Sequence, residues 1–363
     1  MPVAKTSRIQ PVPKLTALPI INLSPFLKQE DGKGRLSTAA QLHAACLDYG
    51  FFYLDISSYI DPSEPEELTR LAREFFALPE VEKDQIALRN EDHARGYARL
   101  KENVTNGKAD NHEGIDFYRP VADPDKTKPL WGTNQWPDIP TFKDKYNQWI
   151  EKMTKLGLIV MEAMALGLGM SPEEWKDLRS KVDDSFWVMR IIGYPPLPND
   201  DDGFSCGAHK DYGCLTFLYA DSTPGALQVF LRQPGFVTKT DTALPAEEGV
   251  EEGTWISADP IPGCIVCNIG EMWEIWTNGL YKSTLHRVIH KSSNYRIPFF
   301  FEPNFDALIS PLPAASRILE GTPERERLKI TQGKTYEPVV YGEFLMKKVS
   351  GNFDTGKGKY DSD

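Results

Sequence analysis

The sequence is poor in several of the features that make function easy to recognise. It holds six histidines and five cysteines in 363 residues. An odd number of unevenly spaced cysteines does not make a disulfide framework. Cys264-Ile265-Val266-Cys267 has the spacing of half a zinc site, but no second pair completes it. With Ile265, Val266 and Ile269 around them, those two thiols are expected inside a buried strand. Basic residues are also in deficit. Lys and Arg total 41 against 52 Asp and Glu, a formal net charge of -11, and no Lys/Arg block stands out. The basic surface that a nucleic-acid backbone requires is therefore missing. No apolar run reaches the length of a membrane span, and Met1–Arg8 is not followed by a signal core. Cytoplasm is the expected compartment.

What remains reads as a soluble globular chain, 40% hydrophobic and 26% charged, long enough for one large domain or two smaller ones. Residues 1–17 carry three prolines and read as a flexible arm. Residues 18–184 read as an α/β and helical region, 185–350 as a β-rich core and 351–363 as a tail. Leu18–Leu23 and Phe51–Leu54 are expected strands. Between them Thr38 and Gln41 suggest a capping box, with Leu42, Ala45, Cys46 and Tyr49 at helical spacing. Further helices are expected from Ser63/Glu66, from Thr141 and from Ser171, where Pro172 and Glu174 supply start signals. Residues 90–140 look loop-rich. From 185 onward, short strands between Gly/Pro turns suggest a sandwich or jelly roll. Gln233–Gly253 is acidic and reads as a solvated insertion. A last helix begins near Tyr341.

The stretch Gly207-Ala208-His209-Lys210-Asp211-Tyr212-Gly213 carries the sharpest chemical signal. In extended backbone, side chains at i and i+2 share a face, so His209 and Asp211 converge. One more imidazole would complete a 2-His-1-carboxylate triad, the set that leaves open positions on Fe(II) for oxygen chemistry. His43 falls on the polar flank of a helix, and His93 and His112 in the loop-rich region. His286 and His290 remain, both on one expected strand.

Ordered blocks then accumulate: Ile192-Gly193-Tyr194-Pro195-Pro196, the His209 stretch, Gly225-Ala226-Leu227-Gln228-Val229, Asn268-Ile269-Gly270-Glu271, and Trp276-Thr277-Asn278-Gly279 running into Leu285-His286-Arg287-Val288. With Gly50-Phe51-Phe52-Tyr53 and Arg95-Gly96-Tyr97, they resemble the isopenicillin N synthase-like branch of the Fe(II)/2-oxoglutarate-dependent oxygenases. The resemblance spans roughly residues 18–350. It implies a β-rich α+β fold, a distorted double-stranded β-helix (jelly roll) with flanking helices. It implies His209, Asp211 and His286 as iron ligands, with 2-oxoglutarate and O2 consumed and succinate and CO2 released. His290 is expected behind or outside the site.

For the far carboxylate of 2-oxoglutarate the family uses Arg-x-Ser. This chain has Arg296-Ile297-Pro298, with Pro298 in the serine's place. A shifted alignment would put Asn294 at the arginine and Arg296 at the serine. Tyr194 matches a tyrosine that helps hold the co-substrate. Asn268 and Ser283 are expected to be structural. Residues 95–116 are expected to wall the pocket, with Lys108, Asp110 and Glu113 as polar candidates, and the substrate to be a small molecule. A monomer is compatible with the sequence. Three alternatives stay open: a same-fold oxidase that uses no 2-oxoglutarate, a catalytically silent jelly-roll binding protein, and a zinc hydrolase on the same ligands.

Overall fold

Strand residues alternate between two environments, and in the larger of two sheets that alternation positions everything else. The structure is a computed structural model that describes residues 17–28, 32–105, 107–197, 203–237, 251–321 and 335–350. The expected arm (apart from residue 17), most of the acidic insertion and the tail lie outside these residues.

In chain order the strands are β1 (Ile20–Asn22), β2 (Phe51–Asp55), β3 (Gly96–Ala98), β4 (Val104–Thr105), β5 (Lys108–Ala109), β6 (Glu113–Tyr118) and β7 (Val188–Tyr194). They continue with β8 (Phe204–His209), β9 (Leu215–Ala220), β10 (Leu227–Val237), β11 (Glu251–Ser257), β12 (Cys264–Ile269), β13 (His286–Ile289) and β14 (Asn294–Phe301). Eight form a sheet in the order β1-β2-β12-β9-β14-β7-β6-β3, and four form a second, β11-β10-β13-β8. Apart from the parallel pair β1–β2, neighbours in both sheets run antiparallel.

On one side of the large sheet, Phe52, Leu54, Ile115, Phe117, Met189, Ile191, Phe217, Cys267, Phe299 and Phe301 join a core. That core includes Leu42, Leu71, Phe75, Trp149, Met153 and Leu156 from helices Gly32–Asp48, Ser63–Phe76 and Phe142–Gly167. On the other side Phe51, Tyr53, Ile192, Tyr194 and Val266 meet Leu227, Val229, Leu231 and Val288 of the small sheet. The two sheets therefore pack face to face around a lumen, the distorted double-stranded β-helix. The Phe142–Gly167 helix lies close against it. A Cβ on Gly157 would stand 2.2 Å from Cδ2 of Phe301.

Two local expectations are corrected, the cap at Thr38 and the loop reading of residues 90–140, while the helix starts at Ser63 and Ser171 are as expected. Thr38 and Gln41 cap nothing, because their helix already begins at Gly32; Thr38 Oγ1 instead donates to the Asn22 carbonyl at 3.1 Å. Ser63 opens its helix without a side-chain cap, whereas Ser171 and Glu174 make the expected capping box. The stretch 90–140 is not merely loop, since β3 and β6 complete one edge of the large sheet. Glu113 and Asp116 break the apolar pattern of β6 in sequence. Both are buried, tied to Lys83 Nζ and to Arg190 Nε, each at 2.7 Å. Cys267 is core as expected, Cys264 is only half-buried at the start of β12, and both thiols are free.

Candidate active site

β8 and β13 are neighbours in the small sheet, and their register sets His209 directly opposite His286. Their rings lie 4.2 Å apart between centroids. Asp211 stands just past the end of β8, so a strand does not hold it. Side chains of the large sheet do. Its Oδ2 accepts from Thr216 Oγ1 of β9 and from Asn268 Nδ2 of β12, the latter at 2.6 Å. Ser283 Oγ donates to the Asp211 carbonyl at 3.2 Å. The free Oδ1 is then turned to His209 Nε2 at 3.7 Å and to His286 Nε2 at 3.6 Å. One ligand atom from each residue lies within 4.8 Å of the others, the only such group among the described residues.

The histidines are oriented from behind. His209 Nδ1 donates to the Gly207 carbonyl at 2.8 Å, and His286 Nδ1 to the Thr284 carbonyl at 3.1 Å. A carbonyl can only accept, so each Nδ1 carries a hydrogen, and each Nε2 is turned inward toward Asp211. Burial opposes charge on His286 and, with the His209 charge beside it, depresses its pKa to about 4. Burial opposes charge on His209 too, but the Cys206 thiol and Asp211 outweigh it. Burial would raise Asp211, yet the two imidazoles and the Thr216 and Asn268 hydrogen bonds hold it below the usual carboxylate range. Two imidazole nitrogens and one carboxylate oxygen, with Asp211 and His286 buried and His209 half-buried, make a donor set that suits a divalent iron and leaves one side of it open.

Arg296 sits mid-strand in β14 between Ile192 of β7 and Ala220 of β9, facing the lumen. It is 3% exposed, and among the described residues its Nε and Nη1 have no hydrogen-bond partner. A buried guanidinium without an anion is costly, which makes Arg296 a candidate to hold one. Tyr194, two residues along from Ile192, is buried beside it. Burial raises the phenol to about 12, with Arg296 pulling the other way. Pro298 follows on the same face, opposite Leu218. Asn294, the alternative under a shifted alignment, bonds instead to the Lys291 carbonyl.

Other candidates scatter. His290 is turned to Ser205 Oγ through Nδ1 at 2.8 Å, away from the three-residue group. His112 Nδ1 faces the Ser205 carbonyl at 3.0 Å and His43 Nδ1 the Tyr281 hydroxyl at 2.6 Å. Glu113 is locked to Lys83 and Tyr97 on the helix-facing side, and Lys108 is exposed. Asp110 alone of the three polar loop candidates reaches the site region. The β4–β5 hairpin packs on β8, where Thr105 comes within 3.6 Å of Cys206 Sγ and holds Asp110 at 2.8 Å. Thr216 escaped sequence reasoning, and Asn268 and Ser283 were read there as structural although both bond to Asp211. A threonine and an asparagine at lumen positions of otherwise apolar strands were the available signal.

Two family profiles match the chain. One, described as non-haem dioxygenase in morphine synthesis N-terminal, covers residues 18–139. The other, the 2OG-Fe(II) oxygenase superfamily, covers residues 184–303. A homoarginine-6-hydroxylase of Glycine max is 38% identical over 356 residues, covering 93% of this chain and 98% of its own. One of Arabidopsis thaliana is 39% identical over 355 residues with the same coverage. Among solved structures, a full-length Neurospora crassa protein in complex with alpha-KG superposes with a TM-score of 0.72. It is 26% identical, with 93% of this chain and 96% of that one covered.

Proposed function

The chain belongs to the 2OG-Fe(II) oxygenase superfamily, and on that footing we propose that His209, Asp211 and His286 hold its iron while Arg296 and Tyr194 hold 2-oxoglutarate. It is a non-haem, Fe(II)- and 2-oxoglutarate-dependent oxygenase that oxidises a small molecule. The bound metal supplies the activation of O2, coupled to breakdown of 2-oxoglutarate to succinate and CO2.

The protein's own residues bind, orient and exclude water. Asp211 contributes the one anionic ligand, aimed by Thr216 and Asn268. The two Nε2 atoms are aimed by backbone carbonyls. Arg296 neutralises the far carboxylate of 2-oxoglutarate, and the Tyr194 hydroxyl donates beside it in place of the serine that Pro298 cannot supply. The apolar walls contributed by Val229, Val266 and Val288 keep the lumen dry.

The observation that carries this reading is the unpaired, buried Arg296 guanidinium in the same lumen as the three ligand side chains. Reading Arg296 as partner of the far carboxylate of 2-oxoglutarate gives that charge its anion, and a silent binding protein would not need the aimed Nε2 pair. The named activity of the relatives makes homoarginine the first substrate to assay.

Anaerobic titration with Fe(II) and 2-oxoglutarate tests the assignment. Wild type is expected to develop the visible metal-to-ligand charge-transfer band. Arg296→Ala should need at least tenfold more 2-oxoglutarate to reach half its amplitude, and Tyr194→Phe should be weakened less. An unchanged titration in Arg296→Ala removes it from the site.

A further inference from the structure

We propose that Arg190 and Asp110 form a two-charge clamp for the primary substrate, Arg190 taking a carboxylate and Asp110 a cationic end, so that the enzyme acts on an amino acid with a basic side chain. The inference rests on the oxygenase reading above and adds the groups that choose the substrate.

Arg190 lies in β7 two residues before Ile192, whose side chain lines the lumen, and alternation gives both residues the same face. Although the strand is interior to the sheet, between β14 and β6, the Arg190 side chain keeps 24% of its surface accessible. On the lumen face of an interior strand, that accessible surface belongs to the cavity. Its Nε donates to Asp116 Oδ1 at 2.7 Å, from the residue directly opposite on β6. No other described residue accepts from it. The ion pair thus fixes the plane of the guanidinium and leaves the two Nη groups turned to the cavity. That is a fork suited to a carboxylate.

Asp110 provides the opposite charge. It is 5% exposed, and its carboxylate accepts from Thr105 Oγ1 and from the Gly207 amide, two residues before the ligand His209. Among the described residues it has no ion pair within 4 Å, and Arg190 and His209 act on it only from farther away, which leaves room for a cation directly against it. Burial, opposed by the Thr105 hydrogen bond and by Arg190, lifts its pKa to about 6. A basic side chain placed there would restore it to full charge. The order of the two groups also sets direction. Asp110, through its bond to the Gly207 amide, sets the cationic end toward His209, so the clamp presents the carbons next to that end for oxidation.

The test uses the whole enzyme with Fe(II) and 2-oxoglutarate and reads substrate-stimulated succinate release. The probes are homoarginine and arginine, their decarboxylated counterparts, and their neutral ureido counterparts. Wild type should prefer the parent amino acid at least tenfold in kcat/KM over either analogue. In Arg190→Gln the preference over the decarboxylated analogue should shrink to about twofold while that over the ureido analogue persists. In Asp110→Asn the pattern should reverse. Equal losses on all three probes in both variants would mean structural roles and overturn the clamp, as would a wild type indifferent to either charge. A normal Fe(II)/2-oxoglutarate charge-transfer band with no amino-acid turnover also overturns it, while leaving the oxygenase reading intact. Absence of the band removes the oxygenase reading and the clamp with it.

Discussion

At the scale of single residues, the site depends on atoms that aim other atoms. Asp211→Ala removes the only anionic ligand and is expected to abolish turnover and stoichiometric Fe(II) binding, measured by metal analysis after desalting. His286→Ala should behave alike, whereas His290→Ala should keep its metal, because its ring faces Ser205. If the two histidines exchange behaviour, the distal ligand is misassigned. Losing Arg296 should cost 2-oxoglutarate about 2–5 kcal/mol, each 1.4 kcal/mol being about tenfold in affinity. Glu302 behaves differently. It is buried just past β14, and burial lifts it to about 8 although the Cys214 amide donates to it at 2.7 Å. Its folded pKa lies above the ordinary value near 4.5. Its contribution to stability is therefore fully present below about pH 4.5 and is lost as pH rises towards 8. Glu302→Gln should flatten the fall in denaturation midpoint over that interval; an unchanged slope would place the titration elsewhere.

At the scale of elements, Gly157 of the long helix lies so close to Phe301 of β14 that no side chain fits between the layers there. Alanine would gain up to about 1 kcal/mol of helix propensity there. It would also force the ring or the helix to move, at a cost of about 1–3 kcal/mol. Gly157→Ala is expected to lower the thermal midpoint, and a rise would show that the layers can part freely. Elements were also where the sequence was least evenly legible. β9, β12 and β14 could be read because their apolar runs are bounded by turns. β6 could not, since Glu113 and Asp116 look solvated until Lys83 and Arg190, far away in the chain, are seen to neutralise them. The Gly32–Asp48 helix was placed late for a similar reason: Thr38 has the chemistry of a cap but spends it on the Asn22 carbonyl. The triad itself was legible because His-x-Asp is local and few histidines compete for the third place. Its supporting shell was not, because Thr216, Asn268 and Ser283 come together only through the fold.

At the scale of the whole molecule, the three proposed metal ligands tie the two sheets together. His209 and His286 belong to the small sheet, and Asp211 is held by β9 and β12 of the large one. Fe(II) with 2-oxoglutarate should therefore stabilise the fold as a whole, by about 2.7 kcal/mol at a hundredfold excess over Kd. Chelation should reverse the rise in Tm, and Asp211→Ala should show no rise with iron. The two-sided large sheet has a further consequence, for how the gene tolerates change. Along β14, Ile297, Phe299 and Phe301 look to the helices while Arg296 and Pro298 look to the lumen. Scored separately for protein abundance and for turnover, a saturation library across this strand should give two complementary combs. Odd-numbered positions would deplete from the first and even-numbered ones from the second. A family with this architecture can then explore new substrates one tooth at a time without drawing on its stability, and a single-residue deletion, by exchanging the combs, would forfeit both.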